Sequence, residues 1–575
     1  MAGPKDNSGG KKKKSLSPEQ KRLRQEKARE RAFLRAHRTI FDRAGFKRLV
    51  PVDGIHFQYE GQKCELDDIF VFENVVVLAE YTESRGANLG KHAKGKDAVH
   101  NKIAENPVKF LNYFRELSPG VDEWLKQSDY TDNQLIVRLI YTSRASLEDH
   151  HKALFNENIF MSDAERGYFA ALTRSLRRSA RHELLEYLRV DPNEVGEAGV
   201  VPTSVLSDDY NALLLPKEQS HFPSGFKIVS FYVDPDALLR RVYVLRRNGW
   251  RDTLGLYQRL IIPSKIRAIR GHLKEKKRVF ANNIVVTLPH DTKIEALDGE
   301  SLSTDAVRPT PINLRLKRSA NSIGIIDGQH RVFSYYEDEE PDSQIDKYRL
   351  QQNLLATGIV YPTSYSKKQR EKFEAGLFLE INSTQNKAGS DIIQAIWVLL
   401  DPFRPIAVSR VVLNGLAAVQ PLSGYLARTS LDAGKIRTAS VVSYGLMPLT
   451  KRSGTDSLFS IWDEKGAKKR FAAGEATEAD LEKYVEFCVE TIGSFLKACR
   501  DSIGLDRWRL VKDGGVLSVT TVNGLIILLR KLIEEGLISD AHQFPNLDDI
   551  GEVDFNSFKS SQYADLAATM RKKVK

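Results

Sequence analysis

The sequence predicts a multidomain protein of mixed α/β and α+β class that ends in a helical region, on three observations. A chain of 575 residues is too long for one hydrophobic core, because domains run to about 100–200 residues, and three or four units are expected. Short β-branched and aromatic runs alternate with helical patterns over residues 46–191 and again over 208–400, which is how sheets covered by helices read. From Asp391 onward the spacing of apolar residues is mainly helical, with 525–537 a clear amphipathic run. The expected divisions are a disordered basic tail (1–16), a basic helix (17–45), an α/β domain (46–191), a linker (192–207), an α+β domain (208–400) and a helical domain (401–575).

With 41% hydrophobic and 28% charged residues, the composition is that of an ordinary globular protein. It holds no apolar run of the roughly 18–20 residues a bilayer span needs. The basic amino terminus is not followed by an apolar segment, so a secretory signal is not expected and the cytoplasm is the expected location. Cys64, Cys488 and Cys499 are too scattered for a disulfide framework or a CxxC zinc site, and the neighbours His150 and His151 lack a partner at zinc-binding spacing. Residues 1–48 hold 16 Lys or Arg against 5 Asp or Glu, so the net charge of +11 lies in one arm and the rest of the chain is balanced. Such an arm releases counterions from a polyanion and supplies sequence-independent affinity for nucleic acid. A solvated tail that aids solubility is the plainer reading of the same charges.

Residues 1–16 bury too little apolar surface to fold. Ser17-Pro18-Glu19-Gln20 combines an N-cap serine, a proline at the first helical position and Gln three residues on, so a helix should span 18–44 and stop at Gly45. Its apolar residues are sparse before Phe33, Leu34, Ile40 and Phe41, so only the second half can pack. Segments 66–72 and 75–81 read as a tight hairpin turned at Glu73-Asn74. Both its faces are largely apolar, which predicts a central element covered by helices on either side. Helices are expected at 96–105, 107–117 and 163–188, the last carrying Arg174, Arg177, Arg178 and Arg181 as a basic stripe. Beyond the Pro- and Gly-containing link, strands are expected at 227–233, 283–288, 324–326 and 355–360, and helices at 262–273 and 367–379.

With Glu73 and Asn74 in the turn, Asp67 faces Glu80 and Glu65 faces Thr82 on one side of the hairpin, while Asp68 faces Ala79 on the other. Opposed side chains have Cβ atoms about 4.5–5.5 Å apart, where two carboxylates repel unless a cation lies between them. Mg²⁺ meets that need, taking one or two carboxylates and completing its shell with water and substrate phosphate. A hydrated acidic edge is the plainer reading, and the flanking apolar residues make such exposure costly. The segment resembles the PD-(D/E)XK nuclease family, whose core is a hairpin reading acid, spacer, then E-x-K at the end of the second strand. The resemblance implies a restriction-endonuclease-like α/β domain with Glu65, Asp67 and Glu80 in the acidic positions, Asp67 and Glu80 being the metal ligands. Thr82 stands where the family has its lysine. Lys91, Lys94 and Lys96 follow and are candidates to supply that charge from a neighbouring helix; an inactive, DNA-binding relic is the alternative.

Asp327-Gly328-Gln329-His330-Arg331 closes a strand in a turn and opens the apolar-periodic run 332–336. A strand, a glycine turn and a helix start aim backbone N–H groups at an anion, reinforced by the helix dipole. His330 and Arg331 add donors, Arg331 can grip phosphate bidentately, and Gln329 can bond a sugar or base edge. An ion pair between Asp327 and Arg331 at a tight turn is the plainer reading. Before this motif come Tyr257-Gln258-Arg259, a basic helix ending in Lys274, Lys276, Lys277 and Arg278, and the strand 284–287; after it come Phe378, Ile381, Asn382 and Gln385. In this order the elements, over about 225–400, resemble the DGQHR-domain family, similar to the DndB proteins associated with DNA phosphorothioate modification and more distantly to the ParB and sulfiredoxin fold. The resemblance implies a ParB/sulfiredoxin-like α+β domain. Its pocket for nucleotide or DNA phosphate would be built from Asp327, Gly328, Gln329, His330 and Arg331, with Asn382 and Gln385 nearby. No cysteine occurs in this region, so sulfiredoxin chemistry is not expected, and no Walker A sequence is present.

These resemblances imply a DNA-binding protein of a prokaryotic modification or defence system: a Mg²⁺-dependent DNA nuclease joined to a domain that binds nucleotide or DNA phosphates. The basic arm, Arg177, Arg178, Lys276, Lys277 and Arg278 would hold the backbone, other modification or defence proteins would be partners, and no membrane is involved. A non-catalytic, DndB-like DNA-binding transcriptional regulator with a degenerate nuclease domain is the alternative, and an NTPase that gates the nuclease is a third reading.

Overall fold

The computed structural model describes residues 18–82, 87–144, 158–191, 194–196, 207–244, 261–297, 308–338, 342–385, 390–427, 434–539 and 543–575. The chain forms two compact units, residues 1–202 with 337–341, and residues 203–336 with 342–575. The sequence stretches 208–400 and 401–575 thus share one unit. The basic tail, His150 and His151, Tyr257-Gln258-Arg259 and most of the 192–207 link lie outside the described residues.

In the first unit, helix α1 (Pro18–Arg43) buries Phe33, His37, Ile40 and Phe41 at three- and four-residue spacing, the narrow stripe of a helix that packs through its second half. Strand β1 (Lys47–Leu49) follows, then a separate ribbon of β2 (His56–Tyr59) and β3 (Gln62–Glu65), then the hairpin β4 (Asp68–Phe72) and β5 (Val75–Thr82). The chain crosses over through helices α2 (Ala87–Glu105), α3 (Pro107–Phe114) and α4 (Pro119–Gln127) to β6 (Ile136–Ser143) and β7 (Ile159–Met161). The sheet order β1-β4-β5-β6-β7 puts β5 at the centre, antiparallel to β4 and parallel to β6. One face of the hairpin meets α1, where Phe41 stacks on Phe70 at 4.3 Å. On the other face Ile69, Val71, Val76 and Leu78 share a core with Val99, Ile103, Phe110 and Phe114. Alternate residues of each strand therefore enter two different cores.

The turn is built as its residues dictate. Glu73 takes φ +49°, and buried Asn74 donates to the carbonyls of Gln134 (2.7 Å) and Glu194 (3.0 Å) while accepting from Gly196 N–H (2.8 Å). The single helix expected over 163–188 is instead two, Asp163–Leu176 and Arg181–Tyr187, separated at Arg177 with φ +49°. After the break Arg181 lies over the Phe72 ring at 3.9 Å and donates to the Ala44 carbonyl at 3.1 Å, so this member of the basic stripe faces the core.

In the second unit, β8 (Ser207–Leu215), β9 (Lys227–Val233), β10 (Val242–Tyr243), β11 (Ile284–Leu288), β12 (Lys293–Ala296), β13 (Thr310–Lys317), β14 (Ile323–Asp327) and β15 (Leu354–Val360) form one mixed sheet. Its order is β10-β14-β11-β15-β9-β8-β13-β12. The 192–207 link ends inside this sheet, since Ser207 pairs with Lys317. Helix Lys367–Gln385 packs on β14 through Ala375 and Phe378 against Ile326. The carboxy-terminal part is helical around Glu478–Ile503 and Val519–Glu534, whose apolar residues fill a large common core. The second of these is buried nearly all round, so the amphipathic pattern understates its burial. No helix among the described residues is long and apolar enough to cross a membrane.

The Phe41–Phe70 stack ties α1 to the sheet. Phe41→Ala is expected to lower stability by about 3–5 kcal/mol, read as a drop in urea midpoint with an unchanged slope; a loss under 1 kcal/mol would show that α1 is not integral to the unit.

Candidate metal centre on the central hairpin

Asp68 pairs with Ala79 and Ile69 with Leu78. One residue further, Asp67 N–H donates to the Ala79 carbonyl at 3.1 Å and Asp67 Oδ2 accepts from Tyr81 N–H at 2.7 Å. Strand alternation then directs Asp67 and Glu80 to the α2 face and Asp68 to the α1 face. Arg38 Nε grips Asp68 at 2.8 and 3.1 Å and Arg48 approaches it at 3.1 Å, so Asp68 is neutralised apart from the other two acids.

Glu80 is 2% exposed. Lys96 Nζ reaches across from α2 to lie 3.0 Å from both of its oxygens. One turn further along α2, His100 Nε2 lies 3.5 Å from Glu80 Oε1, and Cys64 Sγ lies 3.7 Å from the same atom. Burial opposes ionisation of Glu80, but the hydrogen bond and charge of His100 and of Lys96 outweigh it and hold the carboxyl below its ordinary range. Asp67 lacks such a cation. Burial, reinforced by the charges of Glu80, Asp53 and Glu65 and only partly offset by the Tyr81 N–H, pushes its carboxyl up to about 7. Burial and the Glu80 charge likewise push the Cys64 thiol up to about 12, so it stays protonated. Tyr141, opposite Glu80 in β6, is buried beside them.

Lys96 thus meets Glu80, whereas Lys91 and Lys94 are exposed on the same helix; Lys94 stands about 200° round from Lys96. Glu65 is not opposite Thr82. It closes β3, pairs with His56 in the β2–β3 ribbon and has a side chain 40% exposed, while Thr82 pairs with Ser143 of β6. The ladder fails there because the hairpin begins only at Asp68 and the preceding residues turn into the separate ribbon. Among the described residues no group of three or more His, Cys, Asp or Glu side chains is gathered to hold a metal. What this face offers a hard divalent ion is the two carboxylates alone, with Asp67 pushed up chiefly by burial and Glu80 already paired with Lys96. His100 is not among the residues the sequence singles out, although its i, i+4 spacing from Lys96 puts both on one side of a helix.

The second predicted site is assembled differently. β14 ends at Asp327, Gly328 takes φ +95°, and a Cβ there would lie 2.6 Å from Ile284 Cγ2, so glycine is required. The helix that opens here, Gln329–Phe333, has five residues, too few for the aligned dipole invoked from the sequence. Arg331 pairs with Asp327 at 2.9 Å, and His330 Nε2 lies 3.5 Å from the Ile262 N–H. Gln329 Oε1 and Arg331 Nε are buried with no hydrogen-bond partner among the described residues. Asn382 donates to the Phe378 carbonyl of its own helix at 2.9 Å; the side chain of Gln385 lies outside those described.

Of the proposed backbone contacts, Arg178 approaches Glu337 at 3.3 Å and Arg177 approaches Asp338 at 3.8 Å, so both are spent on acidic partners within the first unit. Lys276, Lys277 and Arg278 are exposed at the end of helix Pro263–Lys276, where cations also complement the helix dipole.

The raised Asp67 carboxyl has a signed consequence. Its burial costs nothing while protonated and grows costly as pH rises from about 4 through 7. With EDTA present, Asp67→Asn is expected to exceed the wild type in stability by roughly 2–4 kcal/mol at pH 8, with no gain near pH 4. An equal gain at both pH values in denaturant melts would contradict the assignment. Comparison of the chain with protein-family models, with curated proteins and with solved structures gave no match.

Proposed function

We propose that the chain is a metal-dependent DNA nuclease of a prokaryotic modification or defence system. What supports this most is that Asp67 and Glu80 project from one face of a buried hairpin while Lys96 reaches Glu80 from the following helix. On this reading the first unit is PD-(D/E)XK nuclease-like, with Lys96 filling the part that Thr82 cannot. Asp67 and Glu80 would hold Mg²⁺, which when bound stabilises charge on a scissile phosphate and lowers the pKa of attacking water. Lys96 remains a cation, its ammonium held above its ordinary range by Glu80 against the opposing effect of burial, so it can orient an anionic phosphodiester but not take a proton. Tyr81 N–H fixes the Asp67 carboxylate. The basic arm and Lys276, Lys277 and Arg278 would supply affinity for the DNA backbone. The turn at Asp327 to Arg331 would take a nucleotide or DNA phosphate, which must draw Arg331 away from Asp327.

A second reading, a non-catalytic DNA-binding regulator, is favoured by one observation: Glu80 is deeply buried and both its oxygens are already engaged by Lys96. Nicking of supercoiled plasmid separates the two. The nuclease reading expects relaxation with Mg²⁺ or Mn²⁺ that EDTA abolishes and that Asp67→Ala and Glu80→Ala each reduce by at least about 100-fold. DNA binding without any metal-dependent nicking by the wild type would transfer the assignment to the regulator.

A further inference from the structure

On one face of the large sheet in the second unit, Ile228 of β9 and Ile359 of β15 pack with Phe373 and Leu377 of helix Lys367–Gln385. Further along the same face β9 presents Ser230 and then Tyr232. Tyr232 is 61% exposed although β9 stands fifth among the eight strands. Leu213 of β8, which pairs with Ser230, is 48% exposed. Exposed apolar side chains scattered singly are ordinary, but these two are diagonal neighbours on a sheet, and a contiguous open patch points to an interaction surface. The groups around them are neutral hydrogen-bonding ones: Asn211 pairs across with Asn313, and Ser230 with Thr357. The charges beside them cancel, since Arg315 holds Asp209 at 2.7 Å and Glu295 at 3.5 Å. One cross-strand row joins this surface to the turn at 327–331. Ser230 pairs with Thr357, Thr357 with Val285 and Val285 with Asp327, so β9 and the turn lie three strand spacings, about 14 Å, apart. At the far end of that row Arg331 Nε and Gln329 Oε1 are buried without a hydrogen-bond partner among the described residues.

We propose that this open face is a platform for single-stranded DNA, with an unpaired base stacked on Tyr232, its edge met by the amide and hydroxyl groups alongside, and a phosphate of the same strand in the 327–331 turn. The inference rests on the DNA-directed function above and on that turn as its phosphate site. An unpaired nucleotide carries three chemistries, a π face, a hydrogen-bonding edge and an anionic phosphate, and the surface offers a partner for each in that order. A base within a duplex is stacked on its neighbours and cannot lie on a sheet, so the unpaired strand is selected. The cancelled charge near Tyr232 suits this division of labour, because stacking supplies affinity without charge whereas phosphate contacts supply the salt-dependent part. The span of about 14 Å is covered by about four nucleotides at the 3.4 Å rise of a stacked strand, and by fewer in an extended one.

The test titrates the full-length protein, with EDTA present, into an end-labelled oligothymidylate of about 12 nucleotides and reads fluorescence anisotropy, at raised salt to suppress the share of the basic arm. Tyr232→Ala is expected to weaken binding at least about fivefold, and Tyr232→Phe to stay within about twofold of the wild type. Affinity for a duplex of the same length should respond to neither. The same oligonucleotide carrying 5-iodouracil should cross-link to Tyr232 on illumination. Equal affinity of the wild type and Tyr232→Ala for the single strand, or a cross-link that maps away from β9, would overturn the platform while leaving any metal-dependent nicking intact. Tighter binding of oligouridylate than of oligothymidylate would overturn DNA as the occupant. Tyr232-dependent binding by a protein that does not nick plasmid with any metal would sustain the platform and remove the nuclease.

Discussion

The Glu80 carboxylate is buried on a central strand, and the cation that makes this tolerable comes from a different element, Lys96 on the crossover helix. Removing either partner of a buried pair leaves an uncompensated charge, which costs on the order of 3–5 kcal/mol. The pair therefore fixes where α2 lies against β5, and with it the position of every group that meets Glu80. Asp67 experiences the same burial without a cation of its own and responds by holding its proton toward neutral pH. The face thus carries two acids in unlike states. One is satisfied by the protein, and the other would be satisfied by an added cation.

Part of this arrangement is legible in the sequence. The pairing of Asp68 with Ala79 follows from counting back from a two-residue turn, because turn length fixes the register of a hairpin. Burial of Phe33, Ile40 and Phe41 follows from spacing alone. Other features depended on contacts remote in sequence. Glu65 left the hairpin because residues 56–59 pair with 62–65, a ribbon whose strands are too short to stand out by alternation. The helix over 163–188 broke at Arg177 with neither glycine nor proline to announce it; Arg181 instead finds an aromatic ring and a carbonyl to bind. The strand at 136–143 went unread in the sequence, and the fold shows that Tyr141 there lies across from Glu80.

The second unit shows how a specific motif and a ready site differ. Gly328 is demanded by a close approach to Ile284, a packing reason independent of any ligand. Asp327 neutralises Arg331, and Asn382 bonds within its own helix. Gln329 Oε1 and Arg331 Nε are buried there without a hydrogen-bond partner among the described residues. Lys276, which pairs with Glu275, and the exposed Lys277 and Arg278 make a cationic end to helix Pro263–Lys276, while Arg177 and Arg178 hold acids of their own unit.

On the function proposed above, Asp67 and Glu80 on the α2 face of the hairpin would hold a divalent cation in exchange for the Lys96 ammonium at Glu80. Anomalous scattering from crystals soaked in Mn²⁺ addresses it most directly. The expected result is a peak about 2.2 Å from a carboxylate oxygen of each acid, with Lys96 Nζ withdrawn from Glu80. Crystals that show no peak at this position, with the Lys96–Glu80 pair intact at saturating Mn²⁺, would contradict it.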